Sequence, residues 1–133
     1  MMIERFTVDH FRGMRVQERQ AHTVPLAGPE FLSGLTKGAC YSLLDGDTVL
    51  ACAGLVPEGD YWVAWAWLSE DAGRHMVTLH RAVRTALEAV RSPVFAYAED
   101  AFPEAGRWLA MLGFRPIEGC AMPGYTLYRR DHG

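Results

Sequence analysis

The chain has 133 residues, of which 50% are hydrophobic and 11% are aromatic. This length accommodates one compact domain and leaves too little for a second, so we expect a single domain spanning residues 1–133. The composition excludes a disordered chain, because the apolar residues can form a core that offsets the conformational entropy lost on folding. With 13 Lys and Arg against 16 Asp and Glu, the net charge of −3 argues against binding to nucleic acid or to an anionic membrane surface.

Cysteine and histidine patterns bear on metals and on the cellular compartment. Cys40, Cys52 and Cys120 form neither an even disulfide set nor a Cys-x-x-Cys pair, so we interpret them as small buried side chains in a reducing compartment. The histidines share no metal-ligand spacing, since His75 and His80 are five positions apart rather than four. We therefore predict no metal site.

Targeting and membrane signals are also missing from the sequence. The opening residues lack the apolar run of a signal peptide. No apolar stretch approaches the roughly 20 residues that a membrane-spanning helix needs. These observations predict a cytoplasmic protein without membrane contact.

The first third of the chain predicts a strand and two short helices. Residues 3–8 alternate between apolar and polar, as a half-buried strand does, and Asp9 is expected to cap the helix that follows. After a loop from His22 to Gly28, Pro29 occupies a first helical position and Gly38 ends the second helix.

The middle of the chain predicts three successive strands. Residues 39–45 and 48–56 are strand-like runs joined by the tight turn Asp45-Gly46-Asp47, which indicates a hairpin. Residues 61–68 are apolar at odd and even positions alike, so both faces must be covered and the strand should be central in a layered α/β sheet. Its aromatic residues are expected to pack in the core: Tyr61, Trp62, Trp65 and Trp67.

The C-terminal half predicts two helices and three strands. Ser69 or Asp71 caps the longest predicted helix, in which apolar residues recur at helical spacing until Ser92-Pro93 ends it. The remaining elements are a strand at 94–98, a helix that ends at Gly113, and strands at 114–119 and 125–130. The predicted order is β-α-α-β-β-β-α-β-α-β-β.

This order of elements resembles the Gcn5-related N-acetyltransferase (GNAT) superfamily over nearly the whole chain. One local anchor is Trp-Leu-Ala-Met-Leu-Gly-Phe at 108–114, which is similar to the family's helix-end element, aromatic-Tyr-x-Lys-Leu-Gly-Phe. The other is the strand-loop-helix from Trp65 to Leu79. The resemblance implies an α/β fold with a mixed, mostly antiparallel twisted sheet of about six to seven strands and helices on both faces. The chain is also similar to small acetyltransferase-like proteins encoded by tailed phages, one branch of which resembles an internal virion protein.

The resemblance implies transfer of an acetyl group from acetyl-CoA to an amine of a small molecule or protein, without a covalent enzyme intermediate. In the family, the pantetheine arm of CoA pairs with the splayed fourth strand, so here it would lie between the strands at 61–68 and 94–98. The loop and helix start that follow present backbone N–H groups to the pyrophosphate, as orphan amides and the helix dipole favour. The residues thereby implied in CoA binding are Trp67, Leu68, Ala72, Gly73, Arg74, His75 and Met76.

The candidate pyrophosphate loop departs from the family pattern, which is Gln or Arg, two residues, Gly, one residue, and Gly or Ala. With the first Gly of the pattern aligned on Gly73, Glu70 stands at the Gln/Arg position and His75 at the second small position. Glu70 and Asp71 place two carboxylates near the expected pyrophosphate, and they oppose binding unless Arg74 or His75 compensates. An ordinary capped helix start is the alternative interpretation of these acids.

The catalytic groups carry a weaker signal. The family often uses a Tyr before Leu-Gly-Phe to reprotonate the CoA thiolate, and Leu109 stands at that position. Tyr97 is the candidate substitute, with a buried core tyrosine as the alternative. Glu99 and Asp100 are candidate bases, because ligands of α/β sheets gather at the carboxyl ends of strands. Both acids also suit a turn or a helix cap.

The sequence therefore predicts an acetyl-CoA-dependent N-acetyltransferase and leaves two alternatives open. One is a catalytically inactive structural or assembly protein of the same fold, such as a virion component, because the pyrophosphate signature and the acid are incomplete. The other is a binding module that holds CoA or a peptide without turnover. A homo-oligomer or a virion partner is a further expectation, and the assembly role would place the chain in a host cytoplasm or a virion.

Overall fold

The computed structural model describes residues 2–17, 20 and 28–132. The order of elements matches the predicted one, with a 3-10 helix added before the third α-helix. The elements are β1 (Met2–Arg5), α1 (Val8–Gly13), α2 (Pro29–Leu35), β2 (Ala39–Asp45), β3 (Thr48–Glu58), β4 (Tyr61–Leu68), the 3-10 helix (Glu70–His75), α3 (Met76–Glu88), β5 (Val94–Glu99), α4 (Pro103–Met111), β6 (Arg115–Met122) and β7 (Tyr125–Arg130).

The strands belong to one seven-stranded sheet with the order β1-β2-β3-β4-β5-β7-β6. Strand pairs β1–β2, β2–β3, β5–β7 and β6–β7 are antiparallel, whereas β4 and β5 run parallel. A parallel pair needs a crossover connection, which the 3-10 helix and α3 supply. The predicted mixed, mostly antiparallel α/β fold is confirmed, and β4 is central as its two apolar faces indicated.

The residues cluster into two compact units. The first comprises Met1–Val56 and Trp65–Leu79, and the second comprises Pro57–Ala64 and His80–Gly133. Strands β3 and β4 and helix α3 each contribute residues to both units. The organisation of the chain as one domain stays a prediction.

The core of the first unit is built around the aromatic residues of β4. Trp67 packs against Phe11 with ring centroids 4.6 Å apart, and Trp65 meets Phe6 edge-on at 5.1 Å. The buried residues of this core are Phe6, Phe11, Met14, Leu32, Leu35, Cys40, Leu44, Val49, Cys52 and Trp67. Core packing is confirmed for Trp67. It is wrong for Tyr61, which is 39% exposed because it is the first residue of its strand.

Two cysteines lie fully buried in this core. Cys40 and Cys52 are therefore the small apolar side chains that their pattern predicted, whereas the side chain of Cys120 lies outside what the structure describes. Burial raises the pKa of the Cys52 thiol to about 11, although Ser42 Oγ at 3.6 Å from the sulfur acts in the opposite direction. Such a thiol is protonated at neutral pH and is a poor nucleophile.

The raised pKa of Cys52 predicts a loss of stability at alkaline pH. The ordinary thiol pKa is 9.0, whereas the folded chain holds Cys52 protonated until about pH 11, so between these values only the unfolded state loses the proton. Stability is therefore complete below pH 9 and falls as the pH rises toward 11, by about 2 kcal/mol. Urea unfolding of wild type and Cys52→Ala at about pH 8 and pH 10.5 measures this loss. The variant should lose less between the two pH values, and equal losses would contradict the assignment.

The Leu-Gly-Phe element closes α4 in the second unit. Gly113, at φ +96°, donates its N–H to the carbonyl of Ala110 at 3.1 Å, and the Phe114 N–H reaches the carbonyl of Leu109 at 3.0 Å. This pair of bonds is a Schellman cap, whose left-handed residue is most easily a glycine. Leu112 and Phe114 are buried beside it. The element that resembles the family's helix end therefore serves helix capping and packing.

The start of α1 differs from the prediction. Thr7, rather than Asp9, is the N-cap: its Oγ1 accepts the His10 N–H at 3.2 Å, and its own N–H donates to His10 Nδ1 at 3.3 Å. This reciprocal pair satisfies two backbone donors and starts the helix earlier than expected, which also shortens β1. Most of the predicted loop from His22 to Gly28 lies outside the described residues.

The long helix predicted after β4 begins as a 3-10 helix before it becomes α3. Ser69 is its N-cap, as one of the two predicted possibilities, because Ser69 Oγ accepts the Asp71 N–H at 3.0 Å. None of the described helices is long and apolar enough to cross a bilayer.

Candidate functional site

An open cavity lies beside the 3-10 helix in the first unit. It has a volume of about 520 Å³ and polar walls. Its lining residues are Arg15, Asp45, Thr48, Leu50, Glu70, Asp71, Gly73, Arg74 and His75. The loop that was predicted to hold a pyrophosphate therefore forms part of the wall of this cavity.

The residues predicted to bind CoA occupy different surroundings. Gly73, Arg74 and His75 line the cavity. Trp67 and Ala72 are buried, so their side chains belong to the core. Leu68 and Met76 are half-buried and lie outside the cavity lining.

Arg15 brings a positive charge to this cavity that was not predicted. Its guanidinium donates to both carboxylate oxygens of Asp71 at 2.9 and 3.1 Å, and it lies 3.7 Å from Glu70 Oε2. The hydrogen bond to Asp71 and the two negative charges raise the pKa of Arg15. The carboxylates that opposed an anionic ligand are therefore partly neutralised. No local signal marks Arg15, because it is 56 positions from Asp71 and only the fold brings them together.

Two further basic side chains of the cavity come from the predicted loop. His75 Nε2 lies 3.7 Å from Asp45 Oδ2 in the turn between β2 and β3. Arg74 is exposed and forms no ion pair with any residue that the structure describes. Arg74 is therefore a cation that an anionic ligand can engage without breaking an existing pair.

The first backbone amides of the 3-10 helix are already hydrogen-bonded within the protein. Glu70 N–H donates to the carbonyl of Arg15 at 2.8 Å. Asp71 N–H donates to Ser69 Oγ at 3.0 Å, and Ala72 N–H donates to the Ser69 carbonyl at 3.1 Å. These donors were expected to be orphans available to a pyrophosphate, but the Ser69 cap and the segment after α1 satisfy them. An anion in the cavity would rely on side chains, foremost Arg74.

The end of β4 is covered by residues that follow α1. Gln17 N–H donates to the Leu68 carbonyl at 2.8 Å. The Gln20 carboxamide accepts the Leu68 N–H at 2.8 Å and donates to the Ala66 carbonyl at 3.0 Å. We call Arg15–Gln17 together with Gln20 the strap.

The candidate catalytic residues lie at the end of β5 in the second unit. Tyr97 is 52% exposed, which overturns the alternative of a buried core tyrosine. The reason is strand alternation, because Ala96 and Ala98 take the buried face and leave Tyr97 on the other. Glu99 shares the face of Tyr97, and Asp100 follows in the turn.

Both candidate bases have hydroxyl partners on β7. Tyr125 Oη donates to Glu99 Oε1 at 3.4 Å, and Thr126 Oγ1 donates to Asp100 Oδ1 at 2.5 Å. Burial and the nearby charge of Glu99 raise the pKa of Tyr125. The short bond of Asp100 is typical of a turn residue. Neither acid caps α4, whose N-cap is Phe102.

No three His, Cys, Asp or Glu side chains within the described ranges are grouped as metal ligands would be.

Solved structures of acetyltransferases share this architecture over their whole length. The aminoglycoside 6'-N-acetyltransferase from Enterococcus faecium has a TM-score of 0.67 at 13% identity, covering 98% of this chain and 96% of that chain. A GNAT-family acetyltransferase from Staphylococcus aureus has a TM-score of 0.66 at 11% identity, covering 99% of each chain. A Bacillus subtilis acetyltransferase in complex with CoA has a TM-score of 0.63 at 12% identity, covering 98% of this chain and 96% of that chain.

The chain has the GNAT fold. No protein-family model and no curated protein matches its sequence. The predicted resemblance is thus confirmed at the level of the GNAT fold, and the similarity to phage-encoded proteins stays a prediction.

Two positions of the GNAT pattern can now be located. A Cβ added at Gly73, the retained loop glycine, would meet no atom within 4 Å, so the loop is open there. Leu109 stands at the position where the GNAT pattern often has a tyrosine as the acid. It is half-buried on α4, and its side chain has no proton to donate. Tyr97, the candidate acid, has an accessible phenol on β5.

Proposed function

We propose that this chain is an acetyl-CoA-dependent N-acetyltransferase that acts in the cytoplasm on an amine of a small molecule or a protein. The GNAT fold over the whole chain supports an acyl transfer of this class. The observation that carries the proposal is the polar cavity at the 3-10 helix, in which Arg74 is exposed and without an ion-pair partner among the described residues.

The donor is proposed to bind through its pyrophosphate and its pantetheine arm. The pyrophosphate takes Arg74 as its main cation, with the His75 ring beside it in the cavity lining. Arg15 supports this role indirectly, because it neutralises part of the charge of Asp71 and Glu70. The pantetheine amides pair with the backbone of β4 near Leu68, as one strand pairs with another.

The reaction forms a C–N bond and breaks a C–S bond. Acetyl-CoA supplies a thioester carbonyl, which the amine nitrogen attacks; the amine loses a proton, and the departing CoA thiolate gains one. We assign the base to Glu99 rather than Asp100, because Glu99 lies on the same face of β5 as Tyr97. We assign the acid to Tyr97, which has the accessible hydroxyl that Leu109 lacks.

A hydroxyl deletion at Tyr97 tests the acid. Tyr97→Phe should lower kcat about a hundredfold, the range typical of a lost general acid, and leave the Kd for CoA and the stability unchanged. The matched control is Tyr41→Phe, since Tyr41 is a phenol of similar exposure, 49%, on β2. Thiol release at saturating acetyl-CoA measures kcat. Equal rates for wild type and Tyr97→Phe would remove Tyr97 from the reaction.

The proposed function itself is tested by two measurements on the wild-type chain. Calorimetric titration with CoA reports binding, and thiol release from acetyl-CoA with a panel of amines reports turnover. Binding with amine-dependent release supports the enzyme. Binding without release selects a module that holds CoA, and the absence of both selects a structural role.

A second candidate function is a catalytically inactive GNAT-fold structural or assembly protein, such as a virion component in the phage-like branch. The observation that favours it is that the backbone groups proposed to bind the donor already have hydrogen-bond partners within the protein. Ser69 and Arg15 satisfy the first amides of the 3-10 helix, and Gln17 and Gln20 satisfy the end of β4. In that role the chain would contact a second copy or a virion protein and would not need CoA.

A further inference from the structure

The side chain of Gln20 bonds to β4 in the manner of a neighbouring strand. Its Oε1 accepts the Leu68 N–H at 2.8 Å, and its Nε2 donates to the Ala66 carbonyl at 3.0 Å. These two backbone groups flank Trp67, and they are the pair that one residue of a parallel strand would engage. The carboxamide of Gln20 therefore takes the place of the N–H and carbonyl of one residue on a neighbouring parallel strand.

The edge of β4 that Gln20 covers is the one opposite β3. Ser69 donates to the carbonyl of Leu50 on β3 at 2.9 Å, so residues of odd number direct their backbone groups toward β3. Leu68, of even number, directs its N–H and carbonyl to the other edge. Trp62, also of even number, uses that edge to donate to the carbonyl of Pro93 at 3.0 Å.

The rest of the strap holds Gln20 in place. Val16 forms an antiparallel bridge with Ser69, and Gln17 N–H donates to the Leu68 carbonyl at 2.8 Å. Arg15 adds its carbonyl, which accepts the Glu70 N–H at 2.8 Å, and its side-chain bonds to Asp71. The strap thus extends the sheet along the last residues of β4.

We propose that the Gln20 carboxamide is an internal competitor of the acyl donor. It occupies the backbone groups of Ala66 and Leu68, where the N–H of one amide and the carbonyl of the next amide of an extended ligand, here the two amides of the pantetheine arm, would pair. This inference rests on the proposed function, because the donor is the ligand that Gln20 displaces. Only molecules in which Gln20 has left β4 bind the donor. The apparent Kd therefore equals the intrinsic Kd divided by the fraction of molecules in that state.

Removal of the carboxamide tests the competition directly. Gln20→Ala should bind CoA about tenfold more tightly than wild type, since two hydrogen bonds no longer need to be broken. Glu30→Ala is the control, because Glu30 is an exposed residue in the first turn of α2 and lies outside the strap and the cavity lining. Calorimetric titration with CoA gives the Kd of each protein. Gln20→Met, which is of similar length but has neither the acceptor for Leu68 nor the donor for Ala66, should also bind more tightly and serves if the alanine variant does not fold.

Amide hydrogen exchange at Leu68 gives a second readout. Exchange should be slow in wild type, faster in Gln20→Ala, and slow again when CoA is added to the variant. Unchanged or weaker CoA binding by folded Gln20 variants of a wild type that binds CoA overturns the competition and leaves the proposed function standing. If no protein in the set binds CoA, both the competition and the proposed function fail.

Discussion

Gly73→Glu should raise the Kd for CoA at least about a hundredfold while leaving the fold intact. The variant fits because a Cβ at residue 73 meets no atom within 4 Å. Its carboxylate would lie in the cavity with Glu70 and Asp71, whose charges Arg15 only partly neutralises. Two like charges about 5 Å apart repel by about 3 kcal/mol at an effective dielectric constant of 20, and a pyrophosphate carries more than one charge.

The matched control for Gly73→Glu is Gly73→Ala. It adds a methyl group in the same open space without charge, so the Kd for CoA should stay within about twofold of wild type. Calorimetry at two salt concentrations adds a second check, because screening should reduce the penalty of the glutamate variant. Wild-type affinity in Gly73→Glu would show that the pyrophosphate binds elsewhere.

Gly54→Ala should lower the free energy of unfolding by about 3 kcal/mol, the upper range for overpacking in a core. Its Cβ would lie 2.6 Å from the carbonyl oxygen of Ala39 and 2.9 Å from Cα and Cβ of Cys40. Cys40 is fully buried and in register with Gly54, so β2 and β3 must separate to admit a methyl group. The glycine is needed for close strand approach.

Gly34→Ala is the control for this prediction. Gly34 lies within α2 with no atom within 4 Å of an added Cβ, so alanine should leave stability unchanged or increase it by up to about 1 kcal/mol. Urea unfolding of both variants at constant pH gives the comparison. A loss below about 0.5 kcal/mol in Gly54→Ala would mean that the strands yield more easily than their register indicates.

The helices and strands could be predicted from the sequence, because the patterns that mark them lie within short stretches of the chain. Apolar residues on both faces placed β4 at the centre of the sheet, and the structure has β3 and β5 as its neighbours. Gly113 after an apolar helical stripe predicted the end of α4, which the Schellman cap explains. The start of α1 was missed by two residues, because Thr7 and Asp9 are both good caps and the His10 ring, which completes the reciprocal bond to Thr7, selects between them.

Only part of the candidate site could be predicted from the sequence. The loop at Gly73, Arg74 and His75 was found by its position after β4. Its neighbours Arg15 and Gln20 carried no signal, since nothing in the sequence distinguishes either residue from other polar residues. The sequence left open whether Tyr97 is a catalytic acid or a buried core side chain, and its exposure follows from the face of β5 on which it lies.

The sequence by itself determined the order of the elements and the small polar loop after β4, because periodicity, capping and turn chemistry act between residues a few positions apart. The mixed sheet was predicted from the resemblance to the GNAT family. The tertiary structure alone decided that Arg15 neutralises Asp71 and that Gln20 covers the backbone of Leu68. These contacts join residues 56 and 48 positions apart, where chain folding rather than local preference sets the distance. The acidic surplus seen in the composition therefore does not by itself decide the charge of the cavity, since Arg15, a cation from a distant segment, partly neutralises two of its acids.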